Sequence, residues 1–470
     1  MKIKGVKIKG ITANSQQVKK GFAFVAIAGN QKNGNLFIQD AIAKGATVVA
    51  AKQLPKFVVS KNIKLIKVND CRLYLAKQAS KFYGSVADKL KCVGITGTNG
   101  KTTVAYLIEA IAQEANLSCG VIGTINYRYK GKTFVAKNTT PGPVELQSLL
   151  ARMHVNKIKY CAIEVSSHAL DQKRVAGINF STAIFTNLTQ DHLDYHKSLE
   201  QYFLAKLKLF TGLSTSSIAI INQDDQYAGR IIRKTRAKIF TYGIDRSAML
   251  MAKDINYGLH FTEFTLLGPK IKIRLKTQLT GKHNIYNLLA SVAWGLSQKL
   301  DVNVIKSAIE KFKNVPGRLE KINSNKGFGI FVDYAHTPDA LFNVITALRP
   351  LVEGKIIIVF GCGGERDKLK RPKMGKVVSK LADYAIITDD NPRSENPKEI
   401  IKEICKGIKK NNYCIKGDRF EAIRAGLAIC KKGDCLLIAG KGHECCQILK
   451  NKILTFSDQK VVKQCLKLMK

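Results

Sequence analysis

Residues 89–115, KLKCVGITGTNGKTTVAYLIEAIAQEA, run from an apolar strand through a glycine-rich turn into a helix. No other stretch constrains the fold as much. A buried strand that feeds directly into a helix is the unit of a parallel α/β sheet, whose functional groups collect at the C-terminal ends of the strands. The rest of the chain repeats the theme. Before this junction, FAFVAIAG, ATVVAA and IKLIKV read as short strands, and LYLAKQASKFYG places Leu73, Leu75, Ala76, Ala79 and Phe82 near one helical face. After it come YCAIEV, TAIFTNL and SIAIIN, and beyond Pro316-Gly317 come GIFVDY, KIIIVFG, YAIITD and CLLIAG, separated by helical segments. The expected class is α/β in three regions: a small unit over residues 1–88, a central parallel sheet carrying the glycine-rich loop over 89–315, and a third region over 316–470.

With 470 residues, 45% of them apolar, the chain has material for a packed core in each region. Lysine and arginine outnumber the acids 77 to 35, a formal charge of +42. Such a charge would suit nucleic acid, membrane phosphate or a polyanionic ligand. The lysines are scattered, however (Lys2, Lys4, Lys7, Lys9, Lys432, Lys467), with few aromatics between them, which favours compositional drift over an electrostatic role. The twelve cysteines form no C-x-x-C pair, and Cys92, Cys161, Cys405 and Cys430 lie in apolar runs, as reduced core thiols do. There is no apolar run of about 18 residues, and MKIKGVKIKG has no signal-peptide core. The expectation is a cytoplasmic monomer with neither a membrane segment nor a nucleic-acid partner.

Gly94 to Thr103, GITGTNGKTT, sits where backbone N–H groups and a helix N-terminus can hold phosphate oxygens. Lys101 would neutralise the β/γ-phosphates and the Thr102 hydroxyl would reach Mg²⁺, although five residues rather than the usual four separate Gly94 from Gly100. EVSSHALDQKRV (164–175) and TNLTQDHLDYH (186–196) each follow an apolar strand, and His168, His192, His196, His283, His336 and His443 all fall in polar strand-end or helix-start segments. Glu164 and His192 offer ligands for a metal ion on a triphosphate, with Asp191 and Asp194 as orienting or capping groups. In LEQYFLAKLKLF, Leu199, Phe203, Leu207 and Phe210 form a helical face with Lys206 near its edge, where a lysine ordinarily snorkels to solvent. Asn284 and Asn287, three apart in TGKHNIYNLLAS, could both face a base or a phosphate. Arg318 of NVPGRLEKI and Asp333 of VDYAHTPDAL suit a phosphate and a ribose, or equally an interdomain ion pair.

Taken in order, TGTNGKTT, NTTPGP (138–143), EVSSHALDQKRV, DHLDYH, YFLAK, GKHN, PGRLE, DYAHTPDAL, FGCGGERDKLKRPKMG, DDNPR and GKGHE resemble the Mur ligase family over essentially the whole chain. These are ATP-dependent amide-bond-forming enzymes of peptidoglycan precursor synthesis, and the likeness is to members that add the third residue of the stem peptide. The resemblance implies an N-terminal domain for the uridine nucleotide, a central P-loop ATPase and a C-terminal Rossmann-like domain that brings the amino acid. It implies ATP contacts from Gly97, Thr98, Asn99, Gly100, Lys101, Thr102, Thr103, Asn284, Arg318 and Asp333, and Mg²⁺ service from Thr102, Glu164, His192 and Lys206 carried as a carbamate. Asn138, Thr139, Thr140, Ser166, Gln172 and Arg174 would contact a UDP-muramoyl substrate. Near the N-terminus the family's Asp-Ser-Arg is Asn14-Ser15-Gln16 and its Asp-Gly-His-like segment is Asn33-Gly34-Asn35, which leaves Ser15, Asn30, Gln31 and Lys32 as uridine candidates.

The turn TDDNPRSENP (388–397) is the most substrate-specific segment. meso-Diaminopimelate differs from lysine by a second carboxylate, so its far end is a zwitterion. Arg393 suits that carboxylate as a two-pronged donor; Asp390, Asn391 and Glu444 suit the ammonium, Arg366 adds a further carboxylate contact, Pro392 stiffens the turn, and Gly440, which opens GKGHE, is a further diaminopimelate contact that the resemblance implies. In the family this arginine marks the diaminopimelate-adding type. The competing readings are a folylpolyglutamate synthetase, which needs neither the uridine domain nor the DNPR turn, and a basic P-loop ATPase on nucleic acid, which salt-sensitive retention on DNA would reveal.

Overall fold

The computed structural model describes residues 1–29, 33–258 and 261–469. In the first region, strands Gly10–Thr12, Phe22–Ala26, Ala46–Ala51 and Lys64–Lys67 form a four-stranded parallel sheet in chain order. Its central strands are small and β-branched, and they bury both faces, with Val25, Val48 and Ala50 on one side and Phe24, Val49 and Ala51 on the other. Helix Cys71–Phe82 is capped by Asp70, whose Oδ1 accepts the Leu73 N–H at 2.9 Å. It buries Leu75, Ala76 and Ala79 and leaves Leu73 and Phe82 at the margin. Asp70 Oδ2 takes the Lys173 ammonium, which ties this region to the next.

The central sheet has eleven strands. At its heart six run parallel, in the order Cys119–Ile122, Tyr160–Glu164, Lys91–Thr96, Phe180–Phe185, Ile218–Asn222, Lys238–Gly243. The strand that feeds the glycine-rich loop is thus flanked on both sides. Helices Lys101–Glu114 and Lys282–Ser297 pack on one face through Leu107, Ile108, Leu288 and Val292. Helices Pro143–Val155 and Leu199–Thr211 cover the other face through Leu146, Leu150, Phe203 and Phe210. The hairpin Asn126–Tyr129/Lys132–Val135 extends one edge; at the other, Leu250–Tyr257 joins Lys238–Gly243 in parallel and continues antiparallel into Thr262–Gly268 and Ile271–Thr277. A reading keyed to continuous apolar runs passes over these strands. They alternate, as in IKIRLKT, because one face meets solvent.

In the third region the sheet order is Glu320–Lys321, Gly329–Asp333, Cys435–Ala439, Ile356–Phe360, Tyr384–Ile387, Tyr413–Ile415, parallel except for the first strand. Its fully apolar strands bury both faces beneath helices. One local expectation is corrected. In helix Leu199–Thr211 the buried face is Tyr202, Phe203, Lys206, Leu209 and Phe210, while Leu199 is exposed. Lys206 therefore lies on the packed face at 2% exposure and does not snorkel from its edge. No helix of the described residues is long and apolar enough to cross a membrane.

Candidate active site

Gly94 belongs to strand Lys91–Thr96, where a Cβ would come within 2.9 Å of the Phe180 ring. The turning loop is therefore Gly97-Thr98-Asn99-Gly100, with two residues between its glycines, a tighter loop than the usual four-residue spacing. Gly100 has φ +89°, and a Cβ there would fall 2.3 Å from Asn287 Oδ1, so a side chain would be both strained and blocked. Asn287 Nδ2 donates to Asn284 Oδ1 at 3.1 Å, and Asn284 Nδ2 donates to Thr280 O at 2.8 Å. The two asparagines thus form one chain of contacts reaching the loop, and Asn284 also lines a cavity with Thr280, Asn314, Lys321 and Phe331. Asn99 N donates to Asn187 Oδ1 at 3.0 Å, and its side chain donates to Asp339 Oδ2 at 2.9 Å, which joins the loop to the third region.

Two lysines converge on one oxygen. Lys101 Nζ donates to Gly97 O at 2.9 Å and Thr98 O at 2.8 Å, and Lys206 Nζ donates to Gly97 O at 2.8 Å. Burial lowers the pKa of both. For Lys206 the shift is well below the lysine range, and the neighbouring Lys101 charge deepens it. The Lys206 amine lies 4.4 Å from the Tyr202 ring centre, and among the described residues no carboxylate is bonded to it, although Asp191 acts on it at longer range.

Glu164 ends its strand at 1% exposure. Its Oε2 accepts from Thr102 Oγ1 and Thr124 Oγ1, both at 2.9 Å, and its Oε1 accepts from Thr124 N at 2.9 Å. These donors are all neutral, so the buried carboxyl group is hydrogen-bonded and, among the described residues, makes no ion pair. Among the described residues no three His, Cys, Asp or Glu side chains are grouped to hold a metal by themselves. A single carboxylate and a hydroxyl fit Mg²⁺, which completes its shell with phosphate oxygens and water. His192 has φ +55° and stacks edge-on to His168 at 4.8 Å. Burial outweighs the pull of Asp191 and takes its pKa down to about 4, leaving the imidazole neutral.

The muramoyl candidates lie on the other side of Glu164. Thr140 Oγ1 donates to the Glu164 carbonyl at 2.7 Å and accepts from Ser166 N at 3.0 Å. Arg174 donates to Thr140 O at 2.8 Å and to Gln172 Oε1 at 2.9 Å, with Arg72 of the first region facing it. Thr139 Oγ1 lies 3.1 Å from Thr124 Oγ1, and the Asn138 carbonyl accepts from Tyr127 at 2.6 Å. In the first region Ser15 is buried beside Asp40, at the start of a turn capped by Asn14, and Asn33 caps a second turn. Asn30, Gln31 and Lys32 lie outside the described residues.

Arg318 NH2 donates to Thr102 Oγ1 at 3.3 Å, and its guanidinium lies 4.6 Å from the Tyr334 ring centre. Asp333 is not paired with it. Its two oxygens accept the backbone N–H groups of Leu319 at 2.5 Å and Ala335 at 2.6 Å, which holds the Arg318 turn in place. Further along, Asn391 Nδ2 donates to Glu444 Oε2 at 2.7 Å, and Asn391 Oδ1 accepts from Ile448 N at 2.9 Å and Lys441 Nζ at 3.0 Å. Arg393 NH1 donates to Gly364 O at 2.7 Å. Asp390 is buried where a Cβ on Gly440 would fall 2.6 Å from its Oδ2, and Arg366 NH1 donates to Glu365 O at 3.3 Å. The 388–393 turn, the 440–448 loop and the 363–366 loop thus meet at one place.

Family models named Mur ligase family, catalytic domain; Mur ligase middle domain; and Mur ligase, glutamate ligase domain match residues 7–83, 95–295 and 317–442. The chain is 43% identical, over 98% of its length and 95% of the relative's, to the UDP-N-acetylmuramoyl-L-alanyl-D-glutamate--2,6-diaminopimelate ligase 1 of Clostridium acetobutylicum. This chain belongs to the Mur ligase family. Among solved structures, a UDP-N-acetylmuramoyl-L-alanyl-D-glutamate--2,6-diaminopimelate ligase matches at TM-score 0.71 and 30% identity, covering 98% of this chain and 95% of that one. A folylpolyglutamate synthase of Mycobacterium tuberculosis complexed with ADP and AMPPCP matches at TM-score 0.66 and 16% identity, over 78% of this chain and 92% of that one. That likeness shows shared fold alone.

Several contacts of this Mur ligase were missed by sequence reasoning. Thr124 completes the Glu164 cradle, Lys441 is fully buried between Asn391 and Glu444, and Arg371 is buried against Glu395. The lysine lay within the quoted GKGHE and the arginine within GERDKLKRPKMG, but nothing local told them from solvated cations. Asp339, which also accepts from Thr189 at 3.0 Å, carries no local signal beyond its place in a helix first turn.

Proposed function

We propose that this Mur ligase uses ATP to join meso-diaminopimelate to UDP-N-acetylmuramoyl-L-alanyl-D-glutamate in peptidoglycan synthesis, working as a cytoplasmic monomer. The relatives' names support the reaction. Within the structure the carrying observation is Glu164, whose side chain takes the loop hydroxyl of Thr102 while its carbonyl takes Thr140. One residue therefore joins the phosphate loop to the muramoyl candidates, as transfer of a phosphoryl group onto the substrate carboxylate requires. We keep the division 1–88 for the uridine nucleotide, 89–315 for ATP and 316–470 for the amino acid.

A carboxylate is a poor acyl donor, so the γ-phosphoryl of ATP passes first to the D-glutamate side-chain carboxylate, releasing ADP and leaving an acyl phosphate. The Gly97–Thr103 loop and Lys101 hold the phosphates, Arg318 adds a forked donor beside Thr102, and Asn284 lies toward the base. Mg²⁺, held by Glu164, Thr102 and His192, would spread the phosphate charge. Lys206, buried and without an ion pair among the described residues, is suited to a neutral amine whose nitrogen adds to CO₂ with loss of a proton. The resulting carbamate would offset Lys101 and support the metal. Thr139, Thr140, Ser166, Gln172 and Arg174 place the muramoyl peptide, with Asn138 and Ser15 further along it.

The amino group of diaminopimelate then attacks the acyl carbon, the amide forms, phosphate leaves and the amine proton is released. Arg393 and Arg366 take the far carboxylate, and Asp390 and Glu444, with Asn391, take the far ammonium. The Asn99–Asp339 contact holds the third region over the loop, so water is kept from the acyl phosphate.

The test is phosphate release from ATP and Mg²⁺ with UDP-N-acetylmuramoyl-L-alanyl-D-glutamate, comparing meso-diaminopimelate with L-lysine. Stimulation by diaminopimelate is expected to exceed that by L-lysine strongly. Stimulation by neither overturns the proposal, and equal stimulation by both overturns the amino-acid assignment.

A further inference from the structure

The turn that carries Arg393 is unusual in its support. Arg393 has φ +54°, a left-handed conformation that costs an arginine about 1 kcal/mol and persists only where its surroundings impose it. Its N–H donates to Ile448 O at 3.0 Å, and its guanidinium NH1 donates to Gly364 O at 2.7 Å. The orientation of the fork therefore depends on where Gly364 sits.

Behind both loops lies a second guanidinium. Arg371, 1% exposed on helix Lys370–Leu381, donates from NH1 to Glu395 Oε2 at 3.0 Å and from NH2 to Glu395 Oε1 at 3.1 Å. The same NH2 reaches Gly363 O at 3.3 Å, and NH1 reaches Glu403 Oε2 at 2.7 Å. Glu395 in turn accepts the Glu365 N–H at 2.5 Å, and Gly364 N donates to Asn391 O at 2.9 Å. Glu395 follows Arg393 by two residues, and Gly363 precedes Gly364 by one. One buried arginine thus grips the chain on either side of the contact that aims Arg393.

We propose that Arg371 and Glu395 are positioning residues that set amino-acid specificity by aiming the Arg393 guanidinium at the distal carboxylate of the incoming amino acid. This rests on the reading of Arg393 as the diaminopimelate selector. Arg371 is too buried to touch the ligand, and its charge is matched by Glu395 and Glu403, so it acts only through the geometry of the two loops. Arg371 holds the Glu395 carboxyl down to about pKa 2, which keeps the clamp ionised across working pH. The acid in the RSE segment therefore serves the protein rather than the ligand.

The readout is the ratio of kcat/KM for meso-diaminopimelate to that for L-lysine, in Arg393→Ala, Glu395→Gln, Arg371→Lys and the Arg393→Ala/Glu395→Gln double variant. A merely structural role would lower both substrates alike and leave the ratio alone. Glu395→Gln and Arg371→Lys are each expected to lower it by about tenfold, as a forked contact misplaced by a fraction of an ångström would. The rise falls on KM for diaminopimelate, with KM for ATP within about twofold of wild type. The double variant should match Arg393→Ala. If Arg393→Ala lowers the ratio while Glu395→Gln and Arg371→Lys do not, the clamp is overturned. If Arg393→Ala itself leaves the ratio unchanged, the reading beneath it is overturned instead. Ser394→Ala removes only the exposed Ser394–Glu365 link; a smaller drop in the ratio supports the clamp and no drop counts against it, even where the buried variants fail to fold.

Discussion

The central and third regions both bury cations, but they compensate them differently. Lys206 is 2% exposed and, among the described residues, has the Gly97 carbonyl and the Tyr202 ring as its polar and aromatic partners and no ion pair. Arg419 is 1% exposed and meets Asp458 through two bonds of 2.8 Å and the Ala439 carbonyl at 2.9 Å. Arg371 has Glu395 and Glu403. A buried charge without a partner costs several kcal/mol, and a lysine escapes the cost by losing its proton. An arginine cannot do so and must be paired. The difference teaches where chemistry sits: the unpaired amine is available to react, whereas the paired guanidinium groups brace loops.

The sharpest way to break this comparison is to remove each cation. Lys206→Met should lower phosphate release by about a thousandfold, the loss expected for one transition-state charge stabiliser, without lowering the midpoint of thermal unfolding. Mass spectrometry of wild type in bicarbonate should find one CO₂ adduct on the peptide carrying Lys206. A large fall in thermal stability with activity preserved would place Lys206 among the structural cations. Arg419→Met should do the reverse, costing about 3–5 kcal/mol in denaturant unfolding because Asp458 is left buried and unpaired. Adding Asp458→Leu should recover most of that loss, and failure to recover it would show that Arg419 does more than balance one charge.

The smallest effect concerns Asp389, beside the amino-acid turn. Burial first, and Asp418 second, push its carboxyl up to about 6 from the ordinary 3.8. A raised carboxyl favours the folded state below the unfolded pKa and loses that contribution as pH rises through the folded one. Asp389→Asn should therefore stabilise the protein at pH 8 by at most about 1 kcal/mol after solvent screening, and the gain should vanish near pH 4. A gain independent of pH would show that the cause is not ionisation.

How far the site could be read from sequence depended on whether its parts were contiguous. TGTNGKTT is one loop between a strand and a helix, and those neighbours set its geometry. The twelve-residue run EVSSHALDQKRV holds both Glu164 and Arg174 because a strand end, one short helix and the turn after it bring both residues to Thr140. Lys206 was misplaced because its helical face was assigned from Leu199 and Leu207, whereas packing chose Tyr202 and Leu209. The antiparallel strands beyond Lys238–Gly243 escaped notice because half of each faces water.

By itself the amino-acid sequence determined the α/β character, the phosphate loop and the family, since each rests on short motifs whose residues are close together along the chain. Only the tertiary structure decided which charges are partners. The acids and bases of GERDKLKRP and DDNPRSE carry no label of their own, and their loops must meet before Arg371 takes Glu395 and before Lys441, a local partner of Glu444, is buried against Asn391. Pairing depends on a few ångströms of separation and on exclusion of water, and both arise only when the sheet has brought those ends together.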